Sequence, residues 1–212
     1  MPAATTATPR TRTGTRTAAR ASREATRARI VAATRELLRT HAFAELSVDR
    51  VMREVGQGRT IFYRHFDDLP DLLRRASTEA IEQLYAAQHA LVSPPADGET
   101  AAAIARALAP GVAIYREHGP LLRGVAEAAA SDPELARAQR ALRDRFEDLA
   151  EQALRQSMAG EVGDLRQTAR ALNLMNEAYL LHAFGREPAV TDETAIRTLT
   201  EVWDAVMTRE TT

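Results

Sequence analysis

The chain has 212 residues, 45% of them apolar, enough to bury one large core or two small ones. Cysteine is absent, which excludes a disulfide framework, a thiolate metal site and a cysteine nucleophile. The net charge of −1 hides an asymmetry: residues 1–75 hold 15 Arg against 8 acids, and residues 76–212 hold 13 Arg against 21 acids. A basic first third on an acidic remainder points to one part that meets a polyanion and one that does not.

Residues 1–21 are Thr, Ala, Arg and Pro without an apolar period, and their composition predicts a disordered basic arm. Arg10, Arg12, Arg16 and Arg20 leave two readings open. The arm is a solvated tail, or it follows DNA backbone and enters a minor groove. The start has no apolar segment of the secretory kind, and although its Arg-rich, acid-poor composition also fits a transit peptide, it leads straight into the helical segment described next, so a cytoplasmic location is expected. No stretch approaches about 18 consecutive apolar residues, so no membrane span is expected either. All 28 basic residues are Arg, as GC-rich coding would give. Arg nevertheless makes bidentate contacts to phosphate or guanine that Lys cannot.

A helix is expected from about Arg23 to Thr40, capped by Ser22, with Ile30, Val31, Thr34, Leu37 and Leu38 as its buried stripe. The segment 46–66 then reads as two short helices and a tight turn. Ser47 is a good N-cap, Asp49 suits the positive end of the helix dipole, and Val48, Val51, Met52 and Val55 share one face. Gly56-Gln57-Gly58 breaks that helix. A second short helix runs from Arg59 to about His65. Phe62 and Phe66 point to one side of it, and Arg59, Thr60, Tyr63 and Arg64 to the other. This is the pattern of a helix-turn-helix DNA reader.

The segment Val55 to Tyr63, with the IFYRHF string, resembles the DNA-binding domain of TetR-family transcriptional regulators. DNA contacts are expected from Ser47, Arg59, Thr60, Tyr63 and Arg64, and His65 either contacts phosphate or simply ends the helix. The chain departs from the family pattern at Gln57, Gly58 and Ile61, and the last two replace hydroxyls that commonly meet phosphate.

Downstream, Pro70 suits the first turn of a helix running to about Val92, and Ser93 to Gly98 is a break. Further helices are expected over about 99–117, 120–130, 133–158, 165–184 and 191–207, with His118-Gly119-Pro120 ending the first of these. About nine helices and no strand make the fold class all-α. Residues 22–68 are expected to read DNA, and residues 69–212 to form a helical bundle that binds effector and dimerises. The segment 171–184 is apolar nearly all round, so one of its sides is expected to face a second subunit.

Asn173 and Asn176 share a face of that helix. Two readings stand: they bond neighbouring helices, or they orient a polar group of a ligand in an apolar pocket. The string ALNLMNE, with Trp203 in the last helix, is similar to the EthR subgroup of the TetR family, where the equivalent side chains border an apolar effector tunnel. That similarity implies effector contacts from Asn173, Asn176 and Trp203, with Tyr115, Phe146 and Tyr179 as candidate walls. The expected partners are an operator in double-stranded DNA, a small apolar or amphipathic effector, and a second copy of the chain. The rivals are a ligand-binding relative with degenerate DNA recognition, and an all-α small-molecule enzyme. For the latter, the five His have no metal-ligand spacing and no phosphate loop or nucleophile elbow is present. No catalytic residue, metal or cofactor is expected.

Overall fold

The structure, a computed structural model, describes residues 13–89, 100–157 and 164–208. These residues form eight α-helices and a 3-10 turn at Phe43–Glu45, with no strand among them. The helices are α1 (Thr13–Thr40), α2 (Val48–Val55), α3 (Arg59–Phe62), α4 (Leu69–Gln88), α5 (Thr100–Ala128), α6 (Pro133–Ser157), α7 (Leu165–Phe184) and α8 (Asp192–Met207).

Two boundaries differ from expectation. Helix α1 begins at Thr13, so residues 13–21 are helical and Ser22 is not its cap. The Ser22 carbonyl instead accepts from the Thr26 hydroxyl at 3.0 Å inside the helix. Arg10 and Arg12 lie outside the described residues. The second difference is that residues 99–117 and 120–130 are not two helices. They are one, α5, with Pro110 and Pro120 inside it. Each internal proline removes a hydrogen bond and costs about 3 kcal/mol. That cost is offset on both sides of Pro120, where α5 buries Ile104, Leu108 and Val112 in one core and Leu121, Val125 and Ala128 in another. Gly119 is needed there for a different reason than a helix stop. A Cβ on it would stand 2.2 Å from the carbonyl oxygen of Phe184, so the backbones of α5 and the end of α7 meet directly.

The first core surrounds the reader. It contains Ile30, Leu37 and Leu38 of α1, Val51, Met52 and Val55 of α2, and Phe62 and Phe66. Three short helices make a marginal unit by themselves. They are completed by Leu72 and Leu73 of α4, as expected, and by the second half of α5, which was not. The second core lies among α5, α6, α7 and α8 around the fully buried Trp203 and Phe184.

Arg123 of α5 straps the two halves together. Its Nε donates to the Gly185 carbonyl at 2.8 Å, at the end of α7, and its Nη2 donates to the His41 carbonyl at 3.0 Å and to that of Leu38, at the end of α1. Its Nη1 pairs with Glu127, whose other oxygen accepts from the Phe43 N–H at 2.6 Å. A second tie within the reader runs from Arg29 to the Val55 carbonyl, 2.6 Å away.

Candidate DNA-reading surface and effector cavity

The reader is built by local sequence. Ser47 has extended backbone, and its hydroxyl accepts from the Arg50 N–H at 3.2 Å, capping α2. Gly56 ends α2 with φ 71°, a conformation that an L side chain rarely adopts. Gly58 has φ −78° and open space where a Cβ would stand, so the turn requires only the first of the two glycines. Regular helix in α3 is a single turn, shorter than the expected span to His65. Residues 63–65 continue as turns, with the Phe66 N–H reaching the Phe62 carbonyl at 3.0 Å. Phe62 and Phe66 are buried against each other, ring centroids 5.6 Å apart.

Arg59, Thr60, Tyr63 and Arg64 are exposed together, as the spacing predicted. Arg59 donates to the Tyr63 hydroxyl at 3.4 Å and lies 5.7 Å from the ring centroid, a cation–π contact that holds both side chains toward solvent. Ile61 packs against the reader core, so the hydroxyl it replaces is exchanged for apolar contact. Asp68 caps α4 by accepting from the Asp71 N–H at 2.7 Å. Beside the recognition turn, Arg20, Arg23 and Arg27 of α1 form a concave basic surface with Arg64, His65 and Arg75, and Glu24 is the acid set among them. Burial, together with Arg23, Arg27 and Arg64 against the weaker pull of Glu24, holds the His65 imidazole below its usual pKa.

Above the reader, α4, α5, α6 and α7 enclose a cavity of about 430 Å³. Ile81 and Leu84 of α4, Leu108 of α5, Leu142 and Phe146 of α6, and Leu181 of α7 make it mostly apolar. Its polar groups come from α4, α6 and α7. Asn173, Asn176 and Glu177 all line it. Asn176 accepts from the Trp203 indole N–H at 3.2 Å, and Asn173 accepts from the Gln88 amide at 3.2 Å. Glu177 is held by Arg143 through two bonds, 2.7 and 3.0 Å, and by Gln139 at 3.3 Å. Burial, helped by the Glu177 charge and opposed by Arg143, pushes the Tyr115 phenol well above its ordinary pKa, so it enters the cavity as a neutral hydroxyl.

The family signature described as bacterial regulatory proteins, tetR family, matches residues 30–76. The HTH-type transcriptional regulator EthR of Mycolicibacterium smegmatis is 31% identical over 200 residues, 89% of this chain and 88% of that protein. The chain belongs to the TetR family. Within that family it is a transcriptional regulator of the EthR type, not an enzyme. The fold is similar to that of the TetR-family regulator PfmR from Thermus thermophilus, with TM-score 0.67 and 21% identity, covering 82% of this chain and 95% of that one. It is also similar to NalD of Pseudomonas aeruginosa, the secondary repressor of the MexAB-OprM multidrug efflux pump, with TM-score 0.61 and 21% identity over 87% and 97% of the two chains.

In this TetR-family chain, Tyr115, Phe146, Asn173 and Asn176 come together around the cavity. Tyr179 and Trp203 are not among its lining residues. Trp203 is fully buried behind Asn176, and Tyr179 packs against the second core. Sequence reasoning missed Gln88 and Glu177. Glu177 carried a signal, because a lone carboxylate in an apolar helix needs a partner. Gln88, at the end of α4, carried none.

Proposed function

We propose that this regulator is a ligand-released repressor that binds a palindromic operator as a homodimer in the cytoplasm. The observation that carries this reading is helix α4. Leu72 and Leu73 in its first turns belong to the reader core, and Leu84, Ala87 and Gln88 in its last turns wall the cavity. A molecule in the cavity therefore bears on the same helix that seats the recognition turn. It changes DNA affinity to the extent that it binds two positions of that helix unequally.

Residues 22–68 read DNA in this proposal, through Ser47, Arg59, Thr60, Tyr63, Arg64 and His65. Residues 69–212 hold the effector and dimerise. Ala171, Leu174 and Ala178 form an exposed strip of α7, with Leu174 45% exposed, and Ile196, Val202 and Val206 of α8 are half-buried. A second copy would cover these faces by two-fold symmetry, which sets half-sites about one helical turn apart or a multiple of it.

The test is to sequence the genomic DNA fragments that the pure protein retains, and then to titrate the recovered site with amphipathic compounds. A palindrome released by such a compound is the expected result. Retention of random fragments with no shared site would favour the relative with degenerate recognition. A site that no cavity-binding compound releases would remove the effector from the reading.

A further inference from the structure

Gln88 ends α4 and Asn173 lies on α7, and their amides meet at the cavity wall. One bond joins them, from Gln88 Nε2 to Asn173 Oδ1 at 3.2 Å. The remaining polar atoms, Gln88 Oε1 and Asn173 Nδ2, are buried from solvent and have no partner among the described residues. Buried amide atoms are normally paired, because an unpaired one keeps its full desolvation cost. Turning both amides over exchanges their oxygens and nitrogens. Two amides joined by a single bond still leave one donor and one acceptor, so the unmet chemistry does not depend on how the amides are placed.

The charged groups of the wall set a second condition. Two of the three arginines along it are paired with carboxylates, and the third is stacked on a ring. Arg143 is bonded to Glu177, Arg74 donates to Asp71 at 2.6 Å, and Arg145 lies 3.8 Å from the centroid of the Tyr85 ring. An anionic head group between the two amides would sit against whichever amide oxygen is left unmet. An ester or ether would accept from one amide and leave the other oxygen unmet.

We propose that the cavity takes a neutral amphiphile whose head group both donates and accepts, as a carboxamide does, docked between Gln88 and Asn173. The inference rests on the effector reading above. The hydrocarbon body lies along Leu84, Leu108, Leu142 and Phe146, and the head joins α4 to α7.

The test uses the full-length protein and four probes with one tail: octanamide, 1-octanol, methyl octanoate and octanoate. Binding is read by calorimetry and by the fluorescence of Trp203, whose indole is bonded to cavity-lining Asn176. Octanamide should bind at least about tenfold more tightly than the ester or the carboxylate, the usual cost of leaving a buried polar group unpaired. The alcohol, which donates and accepts through one atom, should also bind more tightly than those two. Gln88→Met keeps the side-chain volume and removes one amide of the pair, and it should lower the amide-to-ester ratio. Asn173→Leu should do the same from the other side, so the test survives if one variant fails to fold. Ester binding as tight as amide binding in the wild type would overturn the proposal and leave the cavity reading standing. A ratio that persists in Gln88→Met would also overturn it. If none of the four probes binds up to its solubility limit, the cavity reading fails and this inference with it.

Discussion

Replacing Arg123 by Met keeps the aliphatic stem of the strap and removes every donor. The carbonyls of Leu38, His41 and Gly185 and the carboxylate of Glu127 then lose a charged partner. A hydrogen bond from a charged group is worth about 1.5–3 kcal/mol. The full sum is not lost. The His41 carbonyl sits past the end of α1, where water can replace the guanidinium, and the Glu127 side chain is one-third exposed. Leu38 and Gly185 are buried and the Arg123 side chain is only 11% exposed, so those two bonds are the least replaceable. Allowing for rehydration of the rest, the expected loss is about 2–4 kcal/mol. Urea denaturation at one fixed protein concentration measures it, followed by far-ultraviolet circular dichroism and by Trp203 fluorescence. Trp203 reports the second core alone, whereas dichroism reports all helices. The two transitions should coincide in the wild type. In Arg123→Met they should separate, with part of the dichroism lost first, as the reader half detaches. A variant with an unchanged midpoint, or with transitions that still coincide after a large loss, would refute the strap.

Gly119→Ala should destabilise the protein by at least about 1–3 kcal/mol, since its methyl group would meet the Phe184 backbone rather than a side chain that can swing away; thermal melting measures this. Gly58→Ser should fold normally and bind operator more tightly, because φ is negative there, the space is open, and serine caps α3 while adding a donor for phosphate; gel-shift titration reads it. Arg59→Ala should lose about 1–3 kcal/mol of operator affinity, concentrated at one base pair if the guanidinium reads guanine and uniform across sequences if it meets phosphate. For Asp71, burial alone would raise the pKa, but hydrogen bonds from Arg75 and the Asp67 N–H and the charges of Arg75 and Arg74 outweigh it and hold the group low. A depressed folded pKa adds stability above the unfolded value, near 3.9, that is lost as pH falls through the folded one. The stability gap between the wild type and Asp71→Asn should therefore narrow below about pH 4 in urea titrations.

The reader was legible because its determinants are local. Ser47 and Gly56 act within four residues of their own position, and the four-residue spacing of Phe62 and Phe66 puts both on one side of the turn. Arg59, Thr60, Tyr63 and Arg64 are exposed for the same reason, since the phenylalanines fix which side is buried. The continuity of α5 was not legible. Gly119 and Pro120 look like a stop, and only the approach of Phe184, 65 positions along the chain, turns them into a packing site. The cavity was half legible. The spacing of Asn173 and Asn176 placed them on one face, but which partner each would take depended on Gln88 and Trp203, on two other helices. Each amide bonds a neighbouring helix, as one reading of the pair had it, and each also lines the cavity. Trp203 was assigned to the wall on resemblance, and its indole instead braces Asn176 from behind.

The way α5 serves two cores bears on how such regulators can be recombined. A chimaera made by cutting between Phe66 and Leu69 would separate Phe62 and Phe66 from Leu72, Leu73, Leu121, Val125 and Ala128, the side chains that close their core. A foreign effector bundle would have to supply the same shape at those five positions. The transplantable unit is therefore a discontinuous one: residues 13–76 together with the second half of α5, including Gly124, where a Cβ would come within 2.9 Å of Leu38. Exchange of reading heads between relatives is then constrained by a helix that lies beyond α4 in the chain.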